Sequence, residues 1–213
     1  MMAVYDLEEQ EQIDELKAWW KQYGNVVLLV IIAASLTVGA FFGWRAYSDR
    51  QALDAGELYV QLQGAVGAGE PKKVQDISAA IVDKYPRTGY AQFAALAAAK
   101  AAFDSGNLAE ARNSLQWVVD HAKEDGTRDL ARLRLAVVEL DEKKYDAALA
   151  AVQTPAVEAL AALFADMRGD ILTAQEKPAE ARSAYQAALD KTDARSPYRG
   201  VIQGKLEALG EAK

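Results

Sequence analysis

Read only as apolar and polar positions, the chain changes pattern twice. Residues 7–24, LEEQEQIDELKAWWKQYG, place Ile13, Leu16 and Trp20 at i, i+3 and i+7, with Trp19 and Tyr23 alongside. That spacing is one face of an amphipathic helix. From Gln22 to Trp44 no residue is charged, and Val26–Phe42 is almost wholly apolar. From about Ala52 the amphipathic pattern returns, as helix-period segments separated by short turn signals as far as Leu209.

A helix rises ~1.5 Å per residue, so ~20 apolar residues match the hydrocarbon thickness of a bilayer. Trp19, Trp20 and Tyr23 precede the span, and Phe41, Phe42, Trp44 and Tyr47 close it. Aromatic rings at both ends suit headgroup depth, and a buried core helix would leave them unexplained. A cleavable signal peptide needs a short basic start and an apolar run of ~7–15 residues. Here the lead-in is long and acidic and the exit reads FFGWRAY. The span therefore reads as a retained anchor. Lys17 and Lys21 on one side balance Arg45 and Arg50 on the other, so basic residues do not orient it.

Within the span Ser35, Gly39 and Gly43 recur every fourth residue, a small-residue stripe on which another helix backbone can pack closely in lipid. Frequent glycine in membrane helices is the competing explanation. The tail before the span reads as an interfacial lead-in, with docking to a basic partner surface as the alternative. Its carboxylates disfavour binding to anionic lipid.

Behind the anchor the chain repeats itself. The segments AGEPKKV, SGNLAEA, EKKYDAA and EKPAEA each follow one apolar helix pattern and open another. Aligned on Val74, Ala111, Ala148 and Ala181 they stand 37, 37 and 33 residues apart. A helix–turn–helix unit with a period near 34 is the tetratricopeptide repeat. In the last unit Gly169 is the small position against which the second helix packs, with Ala181, Tyr185 and Ala188 opposite. The third unit fits less well, because Arg132 and Glu139 stand where apolar residues belong. A final helix, Pro197–Leu209, covers the end of the stack, as solenoids require. The predicted fold is all-α: an amphipathic tail over 1–24, a transmembrane helix over 25–47, and an α-solenoid of tetratricopeptide-like pairs with a capping helix over 48–213.

Composition agrees with that reading. The chain of 213 residues is 51% apolar but 8% aromatic, and the excess is alanine and leucine, strong helix formers. Asp6, Glu8, Glu9, Glu11, Asp14 and Glu15 concentrate negative charge before the span, and the remainder is nearly balanced. No basic patch is available to neutralise phosphates, which argues against nucleic acid as a partner. The absence of cysteine excludes disulfides, thiolate metal sites and a cysteine nucleophile. His121 stands alone near a helix end, where it suits the dipole. Arg168-Gly169-Asp170 spells an adhesion tripeptide, but the repeat assigns Gly169 to helix packing. No phosphate-binding loop, nucleophile elbow or zinc-protease motif occurs. The sequence predicts no enzyme and no cofactor.

Projecting the repeat register puts Tyr59, Phe93, Lys100, Phe103, Leu133, Val137, Leu140 and Asp170 on the face of the first helices. They either line a groove for extended polypeptide or a partner helix, or seal neighbouring repeats together. The sequence leaves both open.

The order of parts resembles the YfgM-like family, ancillary subunits of the bacterial SecYEG translocon. The resemblance is carried by EQEQIDELKAWWKQYG, Gly43-Trp44-Arg45 and FADMRGDILTAQEKPAEARSAYQAAL (Phe164–Leu189); residues 50–130 match only in pattern. It implies a single-pass protein of the bacterial inner membrane, with its tail in the cytoplasm and its repeats in the periplasm. It also implies three kinds of protein partner: SecYEG, a membrane-anchored periplasmic chaperone of the prolyl-isomerase type, and translocating polypeptides. The alternatives are a scaffold or an assembly factor for another envelope membrane complex.

Overall fold

The computed structural model describes residues 3–210, with side chains from Glu11 onward. The acidic positions Asp6, Glu8 and Glu9 lie outside the described side chains, and residues 211–213 lie outside the described chain. Two compact units are formed, Met1–Gln51 and Ala52–Lys213.

The first helix, α1, runs from Ala3 to Gly67. No proline interrupts it, and the next one is Pro71, at the start of α2. In the first unit its most apolar 18-residue window has a mean hydropathy of 2.5 and none of it is buried by protein. Rings pair at both ends: Trp19 with Tyr23 at 5.8 Å, and Trp44 with Tyr47 at 6.2 Å. Inside the span the Thr37 hydroxyl donates to the Ala33 carbonyl at 2.8 Å, so this polar group is satisfied without water.

The second unit is built from helical pairs. The end of α1 pairs with α2 (Pro71–Lys84), and α3 (Gly89–Asp104) with α4 (Leu108–His121). Next come α5 (Asp125–Asp141) with α6 (Tyr145–Ala151), then α7 (Ala161–Ala174) with α8 (Pro178–Lys191). The last helix, α9, spans Tyr198–Ala208 and packs on α8. Among the described residues there is no strand. The predicted helical pairs are present. Ile202 of α9 is fully buried, and Leu206 and Leu209 join the cluster formed by Leu172, Tyr185 and Leu189.

One turn geometry joins the helices of every pair. Gly69, Gly106, Lys143 and Glu176 all have positive φ, at 67°, 76°, 59° and 61°. At each, the residue's own N–H bonds the carbonyl three back, and the next N–H bonds the carbonyl five before it. Asn107 to Ala102 and Lys177 to Leu172 are examples, at 2.8 and 3.0 Å. This double bond closes the helix and leaves few carbonyls bare. Glycine supplies the conformation in two turns; Lys143 and Glu176 adopt it in the other two despite their Cβ.

Small residues set the spacing between helices. Val74, Ala111, Ala148 and Ala181, the aligned positions, are all buried, as are Ala91, Ala94 and Ala102 facing them. Gly169 of α7 lies so close to α8 that an added Cβ would stand 2.3 Å from the Tyr185 ring.

The third pair departs from the pattern for an electrostatic reason. Its second helix, α6, has only seven residues, and its exposed carbonyl end is closed by arginines from the neighbouring helices. Arg132 Nε donates to the Ala151 carbonyl at 3.0 Å and its Nη1 to that of Thr154 at 2.9 Å. Arg168 reaches the carbonyls of Val152 and Gln153. Asp129, fully buried, binds Arg132 at 2.9 Å and accepts from the backbone N–H groups of Ala156 and Val157 at 2.7 and 2.9 Å. Glu139 is buried against Arg112 of α4 at 2.6 Å. The two polar residues that break the apolar register are therefore partnered.

Candidate protein-binding face

The projected residues lie on the first helix of each pair, on α1, α3, α5 and α7. Tyr59 of α1 stands 5.3 Å from the ring of Tyr90 and 6.4 Å from that of Phe93, both on α3. Phe93 is half exposed. Tyr90 extends this aromatic cluster although the repeat register did not single it out. Its signal was present: it lies three residues before Phe93 on one helix face.

Further along, Lys100 and Phe103 of α3 line one cavity of about 300 Å³ together with Val137 of α5. Phe103 and Val137 are 36% and 41% exposed, enough to contact a partner. Arg134 also lines it and was missed, because a charge at this position looked like ordinary solvated surface.

Leu133 and Leu140 behave differently. They pack on the cluster of Ala136, Phe164, Met167 and Ile171 that joins the third and fourth pairs. Asp170 is engaged as well. Its Oδ2 accepts from Lys205 of α9 at 2.7 Å and its Oδ1 from the Tyr185 hydroxyl at 2.8 Å. Lys205 also binds Asp166 at 2.8 Å, and the Tyr198 hydroxyl donates to the same carboxylate. The projected residues thus divide: Phe93, Lys100, Phe103 and Val137 are exposed, Tyr59 packs on the core of the first pairs beside Phe93, and Leu133, Leu140 and Asp170 hold the last repeats together.

The polar cluster around Lys205 shifts its own protonation. Burial pushes the Tyr185 and Tyr198 hydroxyls above the usual tyrosine value, and the nearby carboxylates add to the shift. Burial alone would lower Lys205, but hydrogen bonds to Asp166 and Asp170 outweigh it and hold its pKa above the usual lysine value.

His121 stacks on Trp117 at 4.5 Å, and its Nδ1 sits 2.8 Å from the Trp117 carbonyl. Among the described residues no group of His, Asp and Glu is placed to hold a metal ion. The Arg168-Gly169-Asp170 tripeptide lies inside α7, with Gly169 buried under Tyr185. In the first unit, nothing stands within 4 Å of a Cβ built on Gly39 or Gly43, so these two positions are uncovered.

Helical pairs joined by repeated left-handed turns, with one apolar helix before them, define a membrane-anchored tetratricopeptide-like protein. The family model described as a tetratricopeptide repeat-like domain matches residues 17–211. A protein of Neisseria gonorrhoeae named ancillary SecYEG translocon subunit is 36% identical over 207 residues, covering 95% of this chain and 98% of that protein. Proteins of the same name from Escherichia coli and Haemophilus influenzae are 30% and 29% identical, over 98% and 86% of this chain and 99% and 90% of their own lengths. The chain belongs to this YfgM-like family of ancillary SecYEG translocon subunits.

Proposed function

We propose that the chain is a non-catalytic subunit that associates with the SecYEG translocon and presents its repeat stack to polypeptides emerging there. The observation that supports this reading is likeness, along almost their whole length, to proteins named ancillary SecYEG translocon subunits. The protein sits once through the bacterial inner membrane, with the tail cytoplasmic and the repeats periplasmic. Ser35, Gly39 and Gly43 form the face that packs on another membrane helix, and the remainder of the span contacts lipid. Tyr59, Tyr90, Phe93, Lys100, Phe103 and Val137 form the face that meets polypeptide. The second partner is a membrane-anchored periplasmic chaperone of the prolyl-isomerase type, which this subunit assists. Anchoring beside the translocon raises the local concentration of the repeat face, so weak and reversible contacts suffice.

Two experiments test the reading. A reporter active only outside the cytoplasm, fused after Lys213, gives activity; an inactive fusion made in normal amount overturns the orientation. Affinity purification in mild detergent enriches translocon subunits and the chaperone above other abundant membrane proteins. Recovery of a different envelope complex instead makes the protein a scaffold or assembly factor for that complex.

A further inference from the structure

The cavity between α3 and α5 has a chemical character of its own. Buried Ala99 and Leu115 form its floor, half-exposed Phe103 and Val137 its rim. A volume of about 300 Å³ has room for one or two side chains and lies at the small end of ligand pockets.

The charges at its edge are unequal. Lys100 is tied to Asp104 at 2.7 Å. Arg134 is exposed, and among the described residues no carboxylate pairs with it. The other two arginines of α5 are both paired, Arg128 with Asp125 at 2.7 Å and Arg132 with Asp129 at 2.9 Å. The last repeat gives a comparison. Lys100, Val137 and Asp170 hold the same register position in successive first helices, 37 and 33 residues apart. At Asp170 the chain supplies its own opposite charge, Lys205 of α9. Beside Val137 it supplies none for Arg134.

We infer that the α3–α5 cavity anchors a polypeptide segment presenting a large apolar side chain next to a carboxylate. The apolar group enters between Phe103 and Val137 over Ala99 and Leu115, and the carboxylate pairs with Arg134. This rests on the reading of the repeat face as a polypeptide-binding surface and names the chemistry of what binds. Because the chain as a whole carries a net charge of −7, long-range attraction does not favour an acidic partner. The arginine acts at contact and sets the register of binding.

The test uses the full chain in lipid nanodiscs and fluorescent peptides of about twelve residues on a Gly/Ser background. One peptide carries Phe-Asp, one Phe-Lys and one Ala-Asp; empty nanodiscs give the background. Phe-Asp binds about tenfold more tightly than Ala-Asp, and several-fold more tightly than Phe-Lys. Arg134→Glu, an exposed change that preserves the helical circular dichroism, reverses the order of Phe-Asp and Phe-Lys. Val137→Trp fills the cavity and weakens both. Equal binding of Phe-Asp and Ala-Asp overturns the inference, as does an Asp preference that survives Arg134→Glu. So does a dimer that Val137→Trp disperses while peptides never bind, since a second copy would then be the occupant. Recovery of the translocon with the wild-type chain, beside a flat peptide series, removes only this inference; loss of that recovery removes the parent reading.

Discussion

Gly169 and Tyr185 occupy one contact that admits no further atom: a Cβ on the glycine would lie 2.3 Å from the tyrosine ring. The ring itself cannot swing freely, because its hydroxyl is held by Asp170 at 2.8 Å. Gly169→Ala must therefore push α7 and α8 apart. Overpacking of this kind costs about 2 kcal/mol, read as a lowered midpoint in thermal or urea unfolding of the full chain. Gly126→Ala is the control: nothing stands near its added Cβ, so helix propensity alone acts and stability is kept or gained.

Asp129 ties the loop after α6 to α5 through two backbone N–H groups and Arg132. Asp129→Ala leaves those two part-buried N–H groups and Arg132 without their carboxylate, a loss of about 2 kcal/mol. Hydrogen exchange localises it: the amides of Ala156 and Val157 lose protection first, before those of α3 and α4.

Lys143 and Glu176 sit at positive φ, a conformation that side chains with a Cβ adopt at a cost. Replacing either by glycine removes the cost, and the greater flexibility of the unfolded chain returns part of it. Each change stabilises by about 0.5–1 kcal/mol, while Gly106→Ala, at φ 76°, destabilises by a similar amount. Opposite signs for one glycine exchange at equivalent turns are what unfolding midpoints should show.

The Lys205 cluster predicts alkaline sensitivity. Lys205, Tyr185 and Tyr198 all hold their protons more tightly when folded than when unfolded. Their contribution is fully present below the ordinary values of 10.5 and 10.0 and is lost as pH rises through the elevated folded ones. Stability should thus be flat in these groups from pH 7 to 9 and fall above about 10. Phenolate absorbance checks it: two tyrosines ionise late, together with the release of α9.

Gly39 and Gly43 are open along the span. Leucine at both blocks close approach of a second helix backbone without lowering hydropathy. Membrane retention stays unchanged, and recovery of translocon subunits in mild detergent falls several-fold; equal recovery removes this face from the assembly.

What could be read in advance follows from how local each determinant is. The apolar span, the helix pairs and the Gly169 contact are written in spacing and side-chain size, which survive projection onto a line. The turn at Gly106 announced itself as glycine. Those at Lys143 and Glu176 were legible as turns, in EKKYDAA and EKPAEA, but not as left-handed ones, since a residue with a Cβ does not announce that conformation. Arg132 and Glu139 looked like faults in a repeat, because their partners lie on other elements: Ala151 and Thr154 for one, Arg112 for the other. The face divided for the same reason. Lys100 and Val137 stay open, whereas Asp170 at the same register is occupied by Lys205, a residue 35 positions away.

The short α6 has a mechanical consequence. A chain anchored at one end and gripped elsewhere carries tension through its helices in series. Along that path α6 has two turns at most, and its end is secured by Arg132, Arg168 and Asp129. In that path side-chain bonds from α5 and α7 stand where the other repeats have further helical turns.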